Sequence, residues 1–196
     1  VSSWRTIWNQ GEFPFYFAQI APFNYASFHP NDYQEKYNSA YLREAQLKAA
    51  KEIPNSAMAV LMDIGEENSI HPMHKKEGGE RLALMALSKT YGLKGFGFES
   101  PLYDTLSING SIVTLKFKNV KNGFTTFGKD LVNFEIAGKD QIFVPAKAEI
   151  NGNEIVVSSP KIKEPVAVRY AFKDFVVGEL FSTEGLPASS FRTDDF

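Results

Sequence analysis

The chain has 196 residues, of which 43% are hydrophobic and 22% are charged, and its formal net charge is -2. This composition is ordinary for a globular protein of one large or two modest domains. The absence of cysteine excludes disulfides and a thiolate nucleophile, the lack of a basic block argues against nucleic acid as a partner, and no apolar run reaches the ~18 residues of a membrane span.

The first half of the chain alternates between strand and helix patterns. The run "FPFYFAQI" at residues 13–20 is nearly all apolar, which is typical of a strand buried on both faces. Residues 39–53 are rich in helix formers and place apolar residues at helical spacing. Residues 57–64 predict a second buried strand, and residues 72–92 a second helix. This order indicates a right-handed βαβ unit in a parallel sheet.

The second predicted helix has clear start and stop signals. Pro72 suits its first position and Gly92 suits its C-terminal end. Gly78 and Gly79 lie inside this helix, where each costs roughly 1 kcal/mol of helix propensity. We expect close packing against a neighbouring element to compensate for both glycines.

The second half of the chain reads as all-β. Short alternating segments such as residues 111–119 follow one another at close intervals, with turn signals between them. The pair Asn151 and Gly152 predicts a type I′ hairpin turn, and Pro145 indicates an edge strand or a bulge. These features favour a β-sandwich or jelly-roll module.

The two patterns meet near residue 94 and predict two domains. Residues 1–94 form the α/β part and residues 95–196 form the all-β part. Two parallel strands do not make a stable sheet with both faces covered. We therefore expect the first part to need further strands from another segment or another chain.

His71 is the candidate general base. Ligands of open parallel sheets bind beyond the carboxyl ends of the strands, and Asp63 follows the second predicted strand there. The loop after Asp63 delivers His71 to the predicted helix start, which disfavours a cationic imidazole. A neutral imidazole accepts a hydroxyl proton, and Asp63 could orient the ring as the acid of a triad does.

Each histidine also has an alternative interpretation. His71 could be a loop histidine without a role, and His71 with His74 could form a two-histidine metal pair. His29 is read as a surface loop residue. Ser2 and Ser3 follow no predicted strand, and no other serine or threonine stands at a predicted strand-to-helix elbow. The residues alone supply a base and an acid without a nucleophile.

Six segments of the chain resemble a known family in the same order. The similarity is carried by "FPFYFAQIAPF", "LREAQ", "DIGEENSIHPMHKKEGGERLALMAL", "FEIAGKDQIFVPAKAEI", "VAVRYAF" and "EGLPASSFRTDDF". These segments resemble the C-terminal half of sialate O-acetylesterases, which belong to the SGNH hydrolase superfamily. The resemblance implies a flavodoxin-like α/β/α domain, of which residues 1–94 are the C-terminal portion, followed by an accessory β-sandwich at residues 95–196.

The resemblance also implies an activity and site residues. It implies a serine esterase that removes O-acetyl groups, of the 9-O-acetyl type, from sialic acids without a cofactor or metal. His71 matches the family's catalytic histidine and Asp63 its aspartate after the preceding strand. Many SGNH enzymes carry an aspartate where Asn68 stands, so Asp63, Glu66, Glu67 or no carboxylate remain possible as the acid.

The expected partners follow from the same resemblance. The nucleophilic serine and the oxyanion hole would lie in an N-terminal part upstream of this chain, and the substrate would be an O-acetylated sugar. A glycan substrate favours a periplasmic or secreted location. The alternatives are an acetylxylan-type esterase of the same superfamily and a non-catalytic glycan-binding module, since aromatic residues make up 14% of the chain.

Two further segments have candidate roles. Arg43 and Glu44 are interpreted either as a structural ion-pair region on a helix or as contacts to the substrate or catalytic loop. The C-terminal segment 184–196 is predicted to dock onto a domain surface through Phe191 and Phe196.

Overall fold

The computed structural model of the protein describes residues 1–27 and 38–196. The helices within these residues are α1 (Ser2–Trp8), α2 (Asn38–Glu52) and α3 (Lys75–Met85). The strands are β1 (Phe15–Ala18), β2 (Ser56–Ala59), β3 (Leu102–Asn109), β4 (Ile112–Lys118), β5 (Phe124–Thr125), β6 (Phe134–Ala137), β7 (Phe143–Pro145), β8 (Lys147–Asn151), β9 (Glu154–Ser158), β10 (Ala167–Tyr170), β11 (Phe181–Ser182) and β12 (Phe191–Arg192). Across these two ranges, no helix has the length and apolar character needed to cross a membrane.

The predicted βαβ unit is present in shortened form. Strands β1 and β2 are parallel, with Phe15 opposite Ser56, and α2 lies between them in the chain. Both strands end earlier than predicted, because their ladder ends at the pair Ala18 and Ala59, after which β2 turns toward Asp63. Among the described residues this parallel sheet has two strands, as the sequence pattern led us to expect.

Helix α1 is an element that the sequence patterns did not predict. None of its residues is buried, and its large apolar side chains Trp4, Ile7 and Trp8 are exposed. Arg5 fastens the helix to the rest of the fold by donating from its guanidinium to the carbonyls of Phe13 and Pro54. The sequence hid this helix because a segment of seven residues is too short to give a clear helical signal.

Helix α3 begins later than predicted. It starts at Lys75, so Pro72 is not its first residue, and a π-helical turn over Ala86–Thr90 extends it. Gly92 follows with a positive φ of 72°, which confirms its predicted place after the helical segment. Gly78 packs against Leu61 and Ile64 as expected, whereas the expectation of close packing at Gly79 is wrong, since that residue faces open space.

The second half forms two four-stranded antiparallel sheets, ordered β3-β4-β9-β8 and β12-β10-β6-β7, together with a short β5-β11 pair. Pro145 lies on β7, an edge strand, which confirms its predicted position. The β8–β9 hairpin is also confirmed, but its loop residues are Gly152 and Asn153, because Asn151 pairs with Glu154. A positive φ at Gly152 and not at Asn153 rules out the predicted type I′ turn, which needs both.

One apolar cluster joins the two sheets to the helical part. It contains Val113 and Ile155 from one sheet, Phe134 and Tyr170 from the other, and Met62 from the segment after β2. The two antiparallel sheets thus bury their inner sides in a shared core, as in a sandwich. The division of the chain at residues 94 and 95 stays a prediction.

The C-terminal segment docks largely as predicted. Phe191 is buried and stacks on Tyr103, with ring centroids 4.8 Å apart. Phe196 is exposed and lies 6.2 Å from the ring of Phe143, so it makes only a peripheral contact. The segment is held instead by ion pairs, of which the bidentate contact of Arg169 with the Asp194 carboxylate is the most buried. The sequence did not indicate that pair.

Tyr170, the last residue of β10, is buried and its hydroxyl joins that strand to the segment that follows it. Its hydroxyl accepts the N–H groups of Glu179 and Leu180 at 3.2 and 3.0 Å. The Glu179 carboxylate in turn accepts the N–H groups of Val132 and Asn133. Burial, with the nearby Glu179 carboxylate, raises the pKa of Tyr170 above its ordinary value of 10.0. The phenol therefore stays protonated in the folded chain at alkaline pH.

Replacing Tyr170 by Phe is expected to lower the free energy of unfolding at neutral pH. Two buried N–H groups lose their acceptor, at a cost of about 1–3 kcal/mol each. Above about pH 10 the unfolded tyrosine ionises while the folded one does not, so wild-type stability falls as pH rises, by up to about 1.4 kcal/mol per unit. The variant has no tyrosine at this position and so does not lose this stability. The difference in unfolding free energy between the two proteins should therefore shrink as the pH rises.

Urea unfolding of both proteins at neutral and alkaline pH measures this difference directly. Other titrating groups, Arg43 among them, are common to both proteins and cancel in the comparison. A stability deficit that stays constant across the alkaline range would show that Tyr170 does not control this part of the pH dependence.

Candidate functional site

The candidate site is the loop of residues 63–74, which leaves the carboxyl end of β2 and enters α3. Glu66 and Ser69 form an isolated antiparallel bridge inside it. The Ser69 hydroxyl donates to the carbonyl of His71 at 3.1 Å, and the Glu66 carboxylate accepts the N–H of Met73 at 2.6 Å. These local bonds hold the backbone on both sides of His71, while its side chain is exposed.

Asp63 stands at the start of the loop and is held by Arg81 of α3. The guanidinium makes a bidentate pair with the carboxylate, at 2.7 and 2.6 Å, and also donates to the carbonyl of Val60. Each oxygen of Asp63 therefore accepts one guanidinium N–H. Within residues 1–27 and 38–196, no hydrogen bond joins the His71 ring to Asp63 or to any other side chain. The catalytic roles of His71 and Asp63 stay predictions.

The other two histidines are placed differently. His74 is the N-cap residue of α3, and its ring nitrogen lies 3.3 Å from the Glu77 carboxylate in the first turn of the helix. Because α3 begins at Lys75, its N-terminus lies further along the chain from His71 than the sequence pattern predicted. No group of three or more possible metal ligands occurs in the described part of the chain. His29 lies outside the described residues.

A second loop, after β1, packs directly on the His71 loop. Asn24 donates its backbone N–H to the carbonyl of Glu67 at 3.3 Å. A Cβ added to Gly65 would stand 2.3 Å from the carbonyl oxygen of Pro22, so only glycine allows the two loops to approach this closely. The carboxyl ends of β1 and β2 are thereby joined at one edge of the sheet, where the sequence predicted the site.

A segment from the all-β half braces both loops. The Asp174 carbonyl accepts the N–H of Phe23, and Gly178 donates its N–H to the carbonyl of Met62 at 2.8 Å. Met62 directly precedes Asp63, and Gly178 lies so close that an added Cβ would be 3.2 Å from the Met62 Cβ. The position of the His71 loop is therefore set by residues from both halves of the chain.

Arg43 is fully buried and links α2 to the same bracing segment. Its guanidinium donates to the hydroxyls of Ser190 and Ser39 at 3.1 and 3.2 Å, and to the Lys173 carbonyl. Burial lowers the pKa of Arg43 to about 10, while the nearby Asp174 carboxylate favours the charged form. Arg43 therefore carries its charge at neutral pH, and this geometry supports the structural interpretation of Arg43.

The Arg43 cluster extends to the carboxyl end of β1. The Gln19 side-chain amide donates to the Ser189 hydroxyl at 3.0 Å and to the Arg43 carbonyl at 3.3 Å. Asp174 accepts both the N–H and the hydroxyl of Ser39 at 2.8 Å, which satisfies the first turn of α2. Residues near the C-terminus thus contact the edge of the sheet where the candidate site lies.

Several of these residues were missed by sequence reasoning. Glu66 was considered only as a possible acid, and Arg81 and Asp174 were not singled out. Arg81 did carry a signal, because it shares one helical stripe with Gly78 and Met85, the other buried residues of α3. A charged residue on such a stripe needs a buried partner. Asp174 carried no local signal, since its partners lie more than a hundred residues away.

The arrangement can supply a proton acceptor but no complete catalytic centre by itself. An exposed imidazole on a loop with a braced backbone can take a proton from a hydroxyl placed beside it. The Ser69 hydroxyl is engaged with a backbone carbonyl. In the described residues, no serine or threonine is hydrogen-bonded to the ring of His71.

Comparison with solved structures shows a strong structural similarity to an enzyme. A crystal structure of a carbohydrate acetylesterase from Xanthomonas citri superposes with a TM-score of 0.88 at 34% sequence identity, over 99% of this chain. The chain spans 44% of that protein's length. No protein-family model matches the chain, and no curated protein sequence matches it.

This similarity concerns both the fold of the chain and the class of enzyme that it resembles. The mixed architecture of helices and antiparallel sheets is shared with a known carbohydrate acetylesterase over nearly the whole chain. The enzyme class implied by the sequence resemblance, a carbohydrate esterase, is the class of that neighbour.

Replacing Gly65 by Ala is expected to separate the two loops. Its Cβ would meet the backbone of Pro22 at 2.3 Å, and backbone cannot move aside cheaply. Amide hydrogen exchange in residues 63–74 should therefore become faster. Gly79→Ala is the matched control, because that helical position has open space and gains roughly 1 kcal/mol of helix propensity. Equal exchange in both variants would contradict the tight loop contact.

Replacing Asp63 by Asn is expected to cost about 3–5 kcal/mol of unfolding free energy, because it leaves the Arg81 charge buried without its partner. The two side chains are 15% and 8% exposed. The control is Glu80→Gln, which breaks the exposed pair with Lys76 and should change stability by at most ~1 kcal/mol. Denaturant unfolding compares the two variants. Similar small losses would mean that the Asp63–Arg81 pair does not anchor the loop.

Proposed function

We propose that the protein is the C-terminal portion of a carbohydrate O-acetylesterase of the SGNH type. The observation that carries this proposal is the 34% identity to a carbohydrate acetylesterase over 99% of the chain. Within that class we propose O-acetylated sialic acid, of the 9-O-acetyl type, as the substrate, on the resemblance of the "IHP" and "GLPASSFRTD" segments to sialate O-acetylesterases. The protein would act in the periplasm or outside the cell, where such glycans are met.

The reaction follows the serine esterase scheme, with His71 as the general base. A serine hydroxyl attacks the acetyl carbonyl as His71 takes its proton, and backbone amides hold the oxyanion. The imidazolium then gives that proton to the departing sugar oxygen, which leaves an acetyl-serine. Water, deprotonated by His71, releases acetate and restores the serine. Every proton passes through the ring of His71, and no cofactor takes part in these steps.

We assign Asp63 to positioning the His71 loop and supporting its charge, in preference to Glu66 and Glu67. The bidentate bond of Asp63 to Arg81 supports an anchoring role at the start of the loop. The Glu66 carboxylate is engaged with the backbone of Met73, and Glu67 is exposed. In this proposal the Asp63 carboxylate supports the imidazolium through the electrostatic field at the start of the loop and not through a direct hydrogen bond.

We place the nucleophile on a segment upstream of this chain. Two features support that placement. The parallel sheet has two strands among the described residues, so each strand has an unpaired edge on which further strands can add. Helix α1 also leaves Trp4, Ile7 and Trp8 at least half exposed, although the two tryptophans contact phenylalanine rings of the following segment. An exposed apolar face of this kind can pack against another element. In this proposal residues 1–94 belong to the catalytic domain, and residues 95–196 form the accessory domain.

The proposed function is tested by acetate release from the polypeptide that carries this chain together with its upstream segment. Substrates are 9-O-acetylated sialic acid and acetylated xylan. His71→Ala should lower kcat by about 10³-fold or more, since loss of a triad base removes the main proton acceptor. His74→Ala is the matched control, because His74 is an exposed histidine of the same loop whose ring nitrogen pairs with Glu77.

The outcome separates the parts of the proposal. Normal turnover by His71→Ala, or equal losses in both variants, would remove His71 as the base. Turnover of acetylated xylan with none of acetylated sialic acid would keep the esterase and replace the substrate. Absence of turnover on every acetylated sugar, with the upstream segment present and folded, would overturn the esterase itself.

A further inference from the structure

A second concave site lies away from the His71 loop. It is a groove of about 350 Å³ along residues 95–99, the stretch that leads into β3. The groove is also lined by the turn after β4, around Lys121 and Asn122, and by Glu184 near the C-terminus. No residue of the 63–74 loop lines it. The groove is therefore separate from the candidate active site.

The shape of the groove depends on Gly97. A Cβ at this position would stand 2.7 Å from the Cβ of Glu184, so glycine lets the Glu184 side chain lie across the segment. The flanking residues Phe96 and Phe98 both line the groove and are half-buried. Phe98 also packs on the core under β2 and lies below the Lys89 ammonium. The aromatic wall of the groove thus consists of the Phe96 and Phe98 side chains, which flank Gly97.

Phe96 differs from Phe98 in having no ring or cation partner among the described residues. A partly exposed ring in a concave site presents an apolar face that a ligand can cover. Apolar C–H faces of sugars and flat apolar groups are both suited to such a ring. The polar groups of the groove decide between them.

The polar wall offers both donors and acceptors. The Asn122 amide donates to one carboxylate oxygen of Glu184 at 2.9 Å. In the described part of the chain, the amide oxygen of Asn122, the second oxygen of Glu184 and the Lys121 ammonium make no hydrogen bond or ion pair. A sugar hydroxyl both donates and accepts, so adjacent hydroxyls can use this mixed set. A flat apolar ligand would leave it unsatisfied.

The charge of the groove is balanced. Glu99 is paired with Lys89 at 3.1 Å, and the remaining Glu184 carboxylate is offset by the Lys121 ammonium. Without an excess of either sign, the groove gives no electrostatic preference to an acidic or a basic ligand. These features favour an uncharged polyol with one apolar face, which is the chemistry of a neutral sugar ring.

We propose that this groove binds a neutral saccharide unit. The apolar face of the sugar ring covers Phe96, and its hydroxyls bond to Asn122, Glu184 and Lys121. The site goes beyond the proposed esterase, because it binds a sugar without acting on it. In a glycan esterase it would hold a neutral residue of the chain while the acetylated sugar is processed elsewhere.

The test is an NMR titration of the 196-residue chain with xylohexaose, mannohexaose and cellohexaose, each followed through the backbone amides. At least one neutral hexasaccharide should give saturable shifts that centre on residues 95–99, 121 and 122. Phe96→Ala and Glu184→Ala should each weaken that binding about tenfold or more. Phe127→Ala, which removes an exposed phenylalanine of the same half, should leave the affinity unchanged.

Three results would overturn the proposal. They are the absence of saturable shifts with all three sugars, binding that Phe96→Ala and Glu184→Ala leave intact, and tighter binding of an oligogalacturonate of the same length. The amide spectrum of each variant reports whether it is folded, and Glu184 is exposed, so its removal should leave the fold intact. Since no ester is cleaved in this experiment, its result is independent of the esterase proposal.

Discussion

The burial of one guanidinium constrains much of this structure. Arg43 is fully enclosed, and a buried charge is tolerated only where its N–H groups find acceptors. Those acceptors come from Ser39 on α2, from the Lys173 carbonyl and from Ser190 near the C-terminus. Three segments that are far apart in the chain must therefore meet around α2. The neighbouring Asp174 completes the arrangement by accepting the N–H of Ser39 in the first turn of that helix and favouring the charged form of Arg43.

The same constraint explains why residues from both halves of the chain position the candidate site. Once the segment after β10 is fixed on α2, its Asp174 and Gly178 backbones reach the loops that follow β1 and β2. Those loops then pack on each other at Gly65, and the second of them carries His71. The all-β half thus acts as a scaffold for the loop, and its aromatic groove at Phe96 is a separate surface available for binding.

The local sequence pattern predicted those elements whose structure depends mainly on their own residues. The extent of α2 follows from helix formers at helical spacing, and the parallel order of β1 and β2 follows from two buried strands around it. The hairpin between β8 and β9 was recognisable from its glycine. Its turn type was not, because the register is set by which side chains enter the sandwich core, and that register shifts the loop by one residue.

The sequence by itself determined the types of most elements other than α1, the edge of the sheet where Asp63 and His71 lie, and a resemblance that points to a carbohydrate esterase. Only the tertiary structure decided what those residues touch. It paired Asp63 with Arg81, began α3 after Pro72 and gave Glu66 a structural bond in the loop. Local periodicity records which face of an element is buried, whereas the partners of a buried charge come from distant segments and leave no local pattern.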